Sequence, residues 1–275
     1  MQFDRKKEIR IKADAFREKC KIGKYGIIDL FRECERADYK LIRYPLGENA
    51  DLGFTIKKDQ DIVIFTNSCS RLSRELFTLA HEIGHVILHL SDADSFIDNK
   101  TTISDGSADI REQEANYFAA CLLMPDDDVH RFIDLEMKNL FDTGFTAMDI
   151  ARIMSAFNVS FDMALNRLES LGIIDQNQKL CLGTEKVKKS VGNLLRSVGG
   201  NARLNEASQV IDIPYEYIDY VIYNYNHGAV PQETLEKVLA CYHLTPDDVS
   251  DKLAAPCAHS GDEEDLDALI GGLDS

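Results

Sequence analysis

Two histidines four residues apart are the side chains of this sequence best placed to act together chemically. His81 and His85 enclose Glu82 in the run HEIGH. On a helix this spacing puts both imidazoles on one face, where they can bind one metal ion. Glu82 points about a hundred degrees away around the axis, so it can serve as a general base beside a metal-bound water without being a ligand. The pattern predicts a catalytic zinc site with one Zn²⁺ per chain.

A catalytic zinc ion needs a third protein ligand, and two carboxylates downstream are candidates. Glu112 is favoured because Asn116 follows four residues later on the same helix face and can support a ligand carboxylate. Glu114 remains the alternative. His89 lies one further turn beyond His85, too far along the axis to share a tetrahedral ion comfortably. We expect His89 to support the site or pack in the core.

The elements that must position these residues follow from hydrophobic periodicity and turn signals. Helices are predicted over 4–20, 26–37, 71–90 and 110–124, and strands over 39–44, 53–57 and 62–66. A long loop rich in Ser, Asp, Thr and Gly is predicted over 91–108, and residues 126–175 have an all-helical pattern. Together these elements predict an α+β fold, with a small sheet and active-site helices followed by all-helical segments.

Two separated blocks, FTLAHEIGHVILH at 77–89 and EQEANYFAACLLMP at 112–125, make the sequence resemble the ImmA/IrrE family of metallopeptidases over about residues 9–175. The resemblance implies a zincin-like core with zinc held by His81, His85 and Glu112. It also implies that Glu82 is catalytic, as in a gluzincin-like metalloendopeptidase. Members of this family typically cleave or otherwise inactivate a helix-turn-helix repressor, which relieves repression. A repressor of this kind is therefore the implied protein substrate.

The domain organisation is predicted from changes in pattern and charge along the chain. Residues 1–180 are predicted to form the peptidase domain, with the helical segment 126–180 included, and 181–200 a linker around a Lys-rich run. Residues 201–253 resemble a degenerate Cro/C1-type helix-turn-helix. The acidic tail, residues 254–275, is expected to be disordered.

The charge distribution argues against nucleic acid as the partner of the C-terminal part. The chain has 31 Lys and Arg against 47 Asp and Glu, a net charge of −16. Residues 204–275 carry fifteen of these acids and only two basic residues, so phosphate contacts are disfavoured there. Protein contact, dimerisation or simple packing of its many tyrosines remain open, and the oligomeric state is undetermined by the sequence.

The cysteine pattern and the N-terminus predict the compartment. Seven cysteines without a CxxC pair are typical of reduced cytoplasmic thiols. The charged N-terminus has no signal-peptide core, and no apolar run is long enough for a bilayer, so no membrane association is expected. The leading functional hypothesis is a cytoplasmic zinc endopeptidase acting on a specific regulator. The alternatives are a non-proteolytic repressor-binding module on a zincin scaffold and, with less support, a DNA-binding regulator.

Overall fold

The computed structural model describes residues 2–47, 50, 52–58, 61–90, 95–98, 109–137 and 144–253. The chain divides into two compact units, Met1–Pro214 and Tyr215–Ser275. The first unit contains both sheet and helices, as the predicted α+β class requires. In the described part of the second unit, the regular elements are helical.

A four-stranded mixed sheet in the order β1-β3-β2-β4 forms one layer of the first unit. The strands are β1 (Tyr39–Tyr44), β2 (Gly53–Lys58), β3 (Asp61–Asn67) and β4 (Ser95–Asp98). β1 is parallel to β3, whereas β2 is antiparallel to both β3 and β4. The β-branched run of β3 fits this central position, because it is buried between neighbours on both sides.

The prediction of a continuous loop over 91–108 is wrong at β4. Residues 95–98 pair with β2, with Thr55 opposite Phe96. A strand of four residues is too short to show the alternation by which strands are recognised, so composition alone favoured a loop. The rest of the predicted loop lies outside the described residues. The other three predicted strands are confirmed to within a residue.

Helices surround the sheet and one another in the first unit. They are α1 (Phe3–Arg17), α2 (Leu30–Arg36), α3 (Leu72–His89), α4 (Ile110–Leu123), α5 (Asp126–Glu136), α6 (Ala147–Phe157), α7 (Phe161–Ser170), α8 (Gln176–Lys189) and α9 (Val191–Ser197). The helix predicted over 26–37 begins later, at Leu30. An Ile22–Ile27 bridge precedes it, and the Asp29 side chain caps its first turn by accepting from the Arg32 backbone N–H at 3.2 Å.

Helix α3 is the central element of the core. It packs against β2 and β3 on one side and against α4 on another. Leu79, Ala80 and Ile83 are fully buried, as are the facing Ala115 and Ala119 of α4. Because these residues of α4 are small, the two helices approach closely. The polar side chains on this face of α3, His81 and His85, are therefore buried between them.

The segment predicted as a linker, residues 181–200, is instead helical. It is occupied by the second half of α8 and by α9, and α9 packs on α6. Asp175 and Gln178 form a reciprocal capping box at the start of α8. The Lys-rich run at 186–189 lies in the last turn of α8, where positive charge complements the helix dipole. The run marks a helix end, and reading it as a linker was wrong.

The predicted C-terminal domain begins at residue 201, but residues 201–214 lie within the first unit. Arg43 of β1 forms an antiparallel bridge with Asp212, and the Leu72 backbone N–H donates to the Glu206 carbonyl at 2.8 Å. The Ser208 hydroxyl donates to Glu75 at 3.0 Å. Glu75 also accepts a bidentate pair from Arg43, so this segment completes a buried ionic network.

The second unit is small and helical over its described residues. It contains α10 (Glu216–Asn226), α11 (Gln232–Cys241) and a 3₁₀ turn (Pro246–Val249) around its own apolar cluster. Its helix-turn-helix resemblance stays a prediction, and the acidic tail at 254–275 lies outside the described residues. Among the described helices of the whole chain, none is both long and apolar enough to cross a membrane.

Candidate metal centre

His81 and His85 lie one turn apart on α3, and both side chains are fully buried. Their Nε2 atoms are 2.9 Å apart, so both rings converge on one point. Gly84 between them allows this arrangement, because a Cβ at that position would lie 3.2 Å from the Ala115 Cα. The glycine therefore permits α4 to approach the face of α3 that carries the histidines.

Glu112 reaches the same point from the first turn of α4. Its carboxylate oxygens lie 3.3 Å from the Nε2 atom of His81 and 3.3 Å from that of His85. The three residues are buried, and their ligand atoms lie within 4.8 Å of one another. The structure therefore places Glu112, the favoured candidate, beside the histidine pair.

The spacing of these three atoms fits a tetrahedral metal ion. Zinc bound to nitrogen and oxygen at about 2.0–2.1 Å with tetrahedral angles holds its ligand atoms roughly 3.3–3.4 Å apart. The observed separations are 2.9, 3.3 and 3.3 Å. Two imidazoles and one carboxylate are a donor set of catalytic zinc sites, which keep a fourth position for water.

The ring of His81 is oriented by Asn116, one turn after Glu112 on α4. The Asn116 Oδ1 atom lies 2.9 Å from Nδ1 of His81. When Nδ1 carries the proton and donates to this oxygen, Nε2 keeps its lone pair for a metal. The sequence prediction gave Asn116 a supporting role beside Glu112, and the structure shows the contact with His81.

A series of three hydrogen-bonded side chains orients His85 from the opposite direction. Nδ1 of His85 lies 3.1 Å from Nδ1 of His89, and Nε2 of His89 lies 3.0 Å from Glu114. Arg5 of α1 then donates to Glu114 at 2.8 Å. Because the Glu114 carboxylate accepts from Nε2 of His89, Nδ1 of His89 can accept from His85, which leaves Nε2 of His85 for a metal.

The pKa values of Glu114 and His89 favour the protonation states that this series of hydrogen bonds requires. The hydrogen bond from Arg5, and to a smaller degree that from His89, hold the pKa of Glu114 at about 2 against the opposing effect of burial. Burial lowers the pKa of His89 below its ordinary value, although the hydrogen bond to Glu114 opposes this. Glu114 is therefore an anion and His89 is neutral near pH 7, as the donor and acceptor order demands.

Glu114, the alternative ligand, thus contacts Arg5 and His89, while Glu112 contacts the histidine pair. His89 contacts His85 directly, and its supporting role stays a prediction. Sequence reasoning missed Arg5, because it lies 109 residues before Glu114 and no local pattern links the two.

Glu82 is fully buried on the side of α3 that faces the sheet. The Thr55 hydroxyl of β2 donates to Glu82 Oε2 at 2.6 Å. A Cβ at Gly53 would lie 2.9 Å from the other carboxylate oxygen, so β2 passes close above Glu82. Thr55 was also missed, although its place in a predicted strand just before the HEIGH helix was a usable signal.

Comparison with protein families gives a match that spans this site. The model of the IrrE N-terminal-like domain, Peptidase_M78, matches residues 34–169. This span contains the three clustered residues together with Glu82 and Thr55, whereas Arg5 lies before it. Comparison with curated proteins gives no match to the chain. The chain thus carries, at residues 34–169, a domain that matches the IrrE N-terminal-like domain, Peptidase_M78.

Proposed function

We propose that this protein is a zinc-dependent endopeptidase that cleaves a specific intracellular regulator. The observation that carries the proposal is the buried cluster of His81, His85 and Glu112 on two packed helices, with Glu82 beside it on α3. The match of residues 34–169 to Peptidase_M78 supports a peptidase activity. The cluster of His81, His85 and Glu112 supports a dependence of that activity on a metal ion.

His81, His85 and Glu112 would hold the zinc ion in this proposal. When bound, zinc lowers the pKa of a coordinated water and polarises a peptide carbonyl. Asn116 fixes the ring of His81, and the chain from His89 to Arg5 fixes the ring of His85. The ligand atoms are thereby held in place before any ion arrives, which reduces the cost of ordering them on binding.

Glu82 acts as the general base and then as the general acid. It accepts a proton from the attacking water and delivers it to the amine of the leaving peptide. The hydrogen bond from Thr55 occupies one carboxylate oxygen and fixes the rotamer of Glu82.

The proposed substrate is a helix-turn-helix repressor whose cleavage relieves repression. The resemblance of residues 9–175 to the ImmA/IrrE family supports this substrate class, because members typically inactivate such repressors. The acidic composition of the second unit supports a protein partner over DNA for that unit.

The test is cleavage of candidate repressors by the wild type and by Glu82→Gln. The variant keeps the shape of the side chain but cannot accept a proton, so we expect retained zinc and no cleavage. Glu185→Gln, a change at a half-buried residue of α8 outside the metal cluster, should cleave normally. Cleavage by zinc-loaded Glu82→Gln would contradict the mechanism. Equal binding of the repressor by both proteins, with both partners intact afterwards, would instead support the non-proteolytic alternative.

A further inference from the structure

A large cleft lies next to the candidate metal centre within the first unit. Its volume is about 1130 Å³, and it is bordered by α3, α4, α7 and α8. Phe77 and Asn116 line it, and both contact His81, through ring packing at 6.5 Å and a hydrogen bond at 2.9 Å. The cleft therefore reaches the residues that surround the metal ligands.

The lining of this cleft is basic in a chain whose net charge is −16. Among the residues that the structure describes, six Lys and Arg side chains border it, against one Asp and one Glu. Two of the lysines are neutralised locally, since Lys179 pairs with Glu169 at 2.6 Å and Lys186 pairs with Asp162 at 2.6 Å. Arg167 is buried and pairs with Asp126.

Three cations of the cleft have no acidic partner within the described part of the chain. Among the residues that the structure describes, no carboxylate lies within 4 Å of Lys6, Arg71 or Arg74, and all three are exposed. The ammonium group of Lys6 lies 5.5 Å from the centre of the Tyr117 ring. Arg74 precedes Phe77 and His81 at helical spacings of three and seven, so it lies on the same face of α3. Positive charge is thus concentrated along the approach to the metal centre.

We infer that this cleft binds an acidic segment of the peptide substrate, with Lys6, Arg71 and Arg74 as the residues that select its charge. The inference rests on the proposed peptidase function and adds a substrate class to it. Aromatic and apolar side chains such as Phe77, Tyr117 and Phe161 line the same walls and suit the side chains of a peptide. A long nucleic acid is disfavoured by the net charge of −16 of the whole chain.

The test measures peptide binding in the full-length, zinc-loaded Glu82→Gln protein, so that the peptide is not cleaved. Short fluorescent peptides of alternating Glu and Leu, or of Lys and Leu, serve as probes in anisotropy titrations, beside a single-stranded oligothymidine. We expect the Glu peptide to bind more tightly than the other two. Raising the salt concentration should weaken its binding.

Charge reversal then assigns the binding to the cleft. Arg74→Glu lies in the first turn of α3, where an acid is compatible with the helix dipole, so the fold should be retained. We expect Arg71→Glu and Arg74→Glu each to weaken binding of the Glu peptide about tenfold at low salt. Arg32→Glu, an exposed change on α2 away from the cleft, should leave binding unchanged.

Equal affinity for the Glu and Lys peptides would overturn the inference. So would a loss of Glu-peptide affinity in Arg32→Glu as large as that in Arg71→Glu and Arg74→Glu. Tighter binding of the oligothymidine that is lost in the same cleft variants would make the cleft a nucleic-acid site and would also overturn it. Neither result would touch the proposed peptidase function, because the binding assay contains no catalysis. The reverse outcome is also distinguishable. If the wild type cleaves no substrate but the Glu peptide is still selected through Arg71 and Arg74, the proposed peptidase function fails and the binding site in the cleft stands.

Discussion

At the scale of single residues, the candidate site depends on side chains that hold other side chains. His81, His85 and Glu82 each contact a polar partner from another helix turn or strand. Buried groups of this kind gain strength from a low dielectric environment when their hydrogen bonds are satisfied. Their partners are therefore expected to tune metal affinity and proton transfer separately.

Thr55 is expected to position the general base. Thr55→Val keeps the shape of the side chain but removes the hydrogen bond to Glu82, and such bonds to charged groups contribute about 1.5–3 kcal/mol. We expect kcat to fall roughly ten- to hundredfold with zinc content unchanged. Thr55→Ser retains the hydroxyl and should recover most of the rate. Equal kcat in Thr55→Val and the wild type would contradict this role.

Arg5 is expected to act on the metal through Glu114 and His89. Arg5→Gln removes the guanidinium that holds Glu114 in place, so the ring of His85 is less firmly oriented. We expect zinc affinity, measured by competition with a chromophoric chelator, to fall about tenfold or more. Arg10→Gln, on the same helix but paired with Asp126, is the matched control. If Arg5→Gln and Arg10→Gln lost the same zinc affinity, the effect would belong to α1 in general, and the specific role of Arg5 would be contradicted.

Among secondary-structure elements, the contact between α3 and α4 brings the two parts of the site together. Two histidines come from α3 and one carboxylate from α4, so the distance between the helices sets the distance between the ligands. Gly84 controls this distance, since its neighbours across the interface are the Cα and carbonyl oxygen of Ala115. A shift of a few tenths of an ångström here would separate Glu112 from the histidines.

Two glycines inside helices allow a matched comparison. Gly84→Ala would put its Cβ 3.2 Å from the Ala115 Cα, whereas Gly183 of α8 has no atom within 4 Å of that position in the part of the chain that the structure describes. We expect Gly84→Ala to lower the free energy of unfolding by about 1–3 kcal/mol and to weaken zinc binding. Gly183→Ala should raise it by roughly 0.5–1 kcal/mol. Urea unfolding of both variants measures these free energies. A higher free energy of unfolding in both variants would refute the close contact at Gly84.

The elements that position the site could be predicted largely from sequence, because they carry strong periodic signals. The helix bearing His81 and His85 and the three strands 39–44, 53–58 and 61–67 agree with their predicted bounds to within one or two residues. The strand at 95–98 carried no such signal and was missed. Arg5 and the segment 202–214 act through long-range contacts, which single-sequence patterns do not encode.

For the whole molecule, the division into two units predicts where the chain can be shortened. The first unit ends at Pro214 and includes the segment whose Ser208 and Asp212 contact Glu75 and Arg43. The second unit has a separate apolar cluster. Metal binding is therefore expected to belong to the first unit alone, with the segment 202–214 as part of its fold.

Truncation tests this division. A chain ending at Pro214 should fold cooperatively and retain one zinc ion, because the candidate ligands and their supporting residues are all present. A chain ending at Gly200 loses the hydroxyl of Ser208 and leaves the buried Arg43–Glu75 pair less satisfied. We expect its melting temperature to be lower by several degrees. Loss of zinc in the longer chain would contradict the division.

The second unit presents tyrosines to solvent instead of using them all in its core. Tyr215, Tyr220 and Tyr223 are 72%, 53% and 61% exposed, so packing alone does not account for them. With acidic residues around them, this composition favours contact with a protein partner over contact with DNA.

The central claim is a zinc ion held by His81, His85 and Glu112, and metal content per chain tests it most directly. Elemental mass spectrometry of the purified, zinc-reconstituted protein should give about one zinc per wild-type chain. Glu112→Ala should lose the metal, whereas Glu114→Ala should retain it at saturating zinc with weakened affinity. No zinc in the wild type, or loss in Glu114→Ala with full retention in Glu112→Ala, would contradict the proposed ligand set.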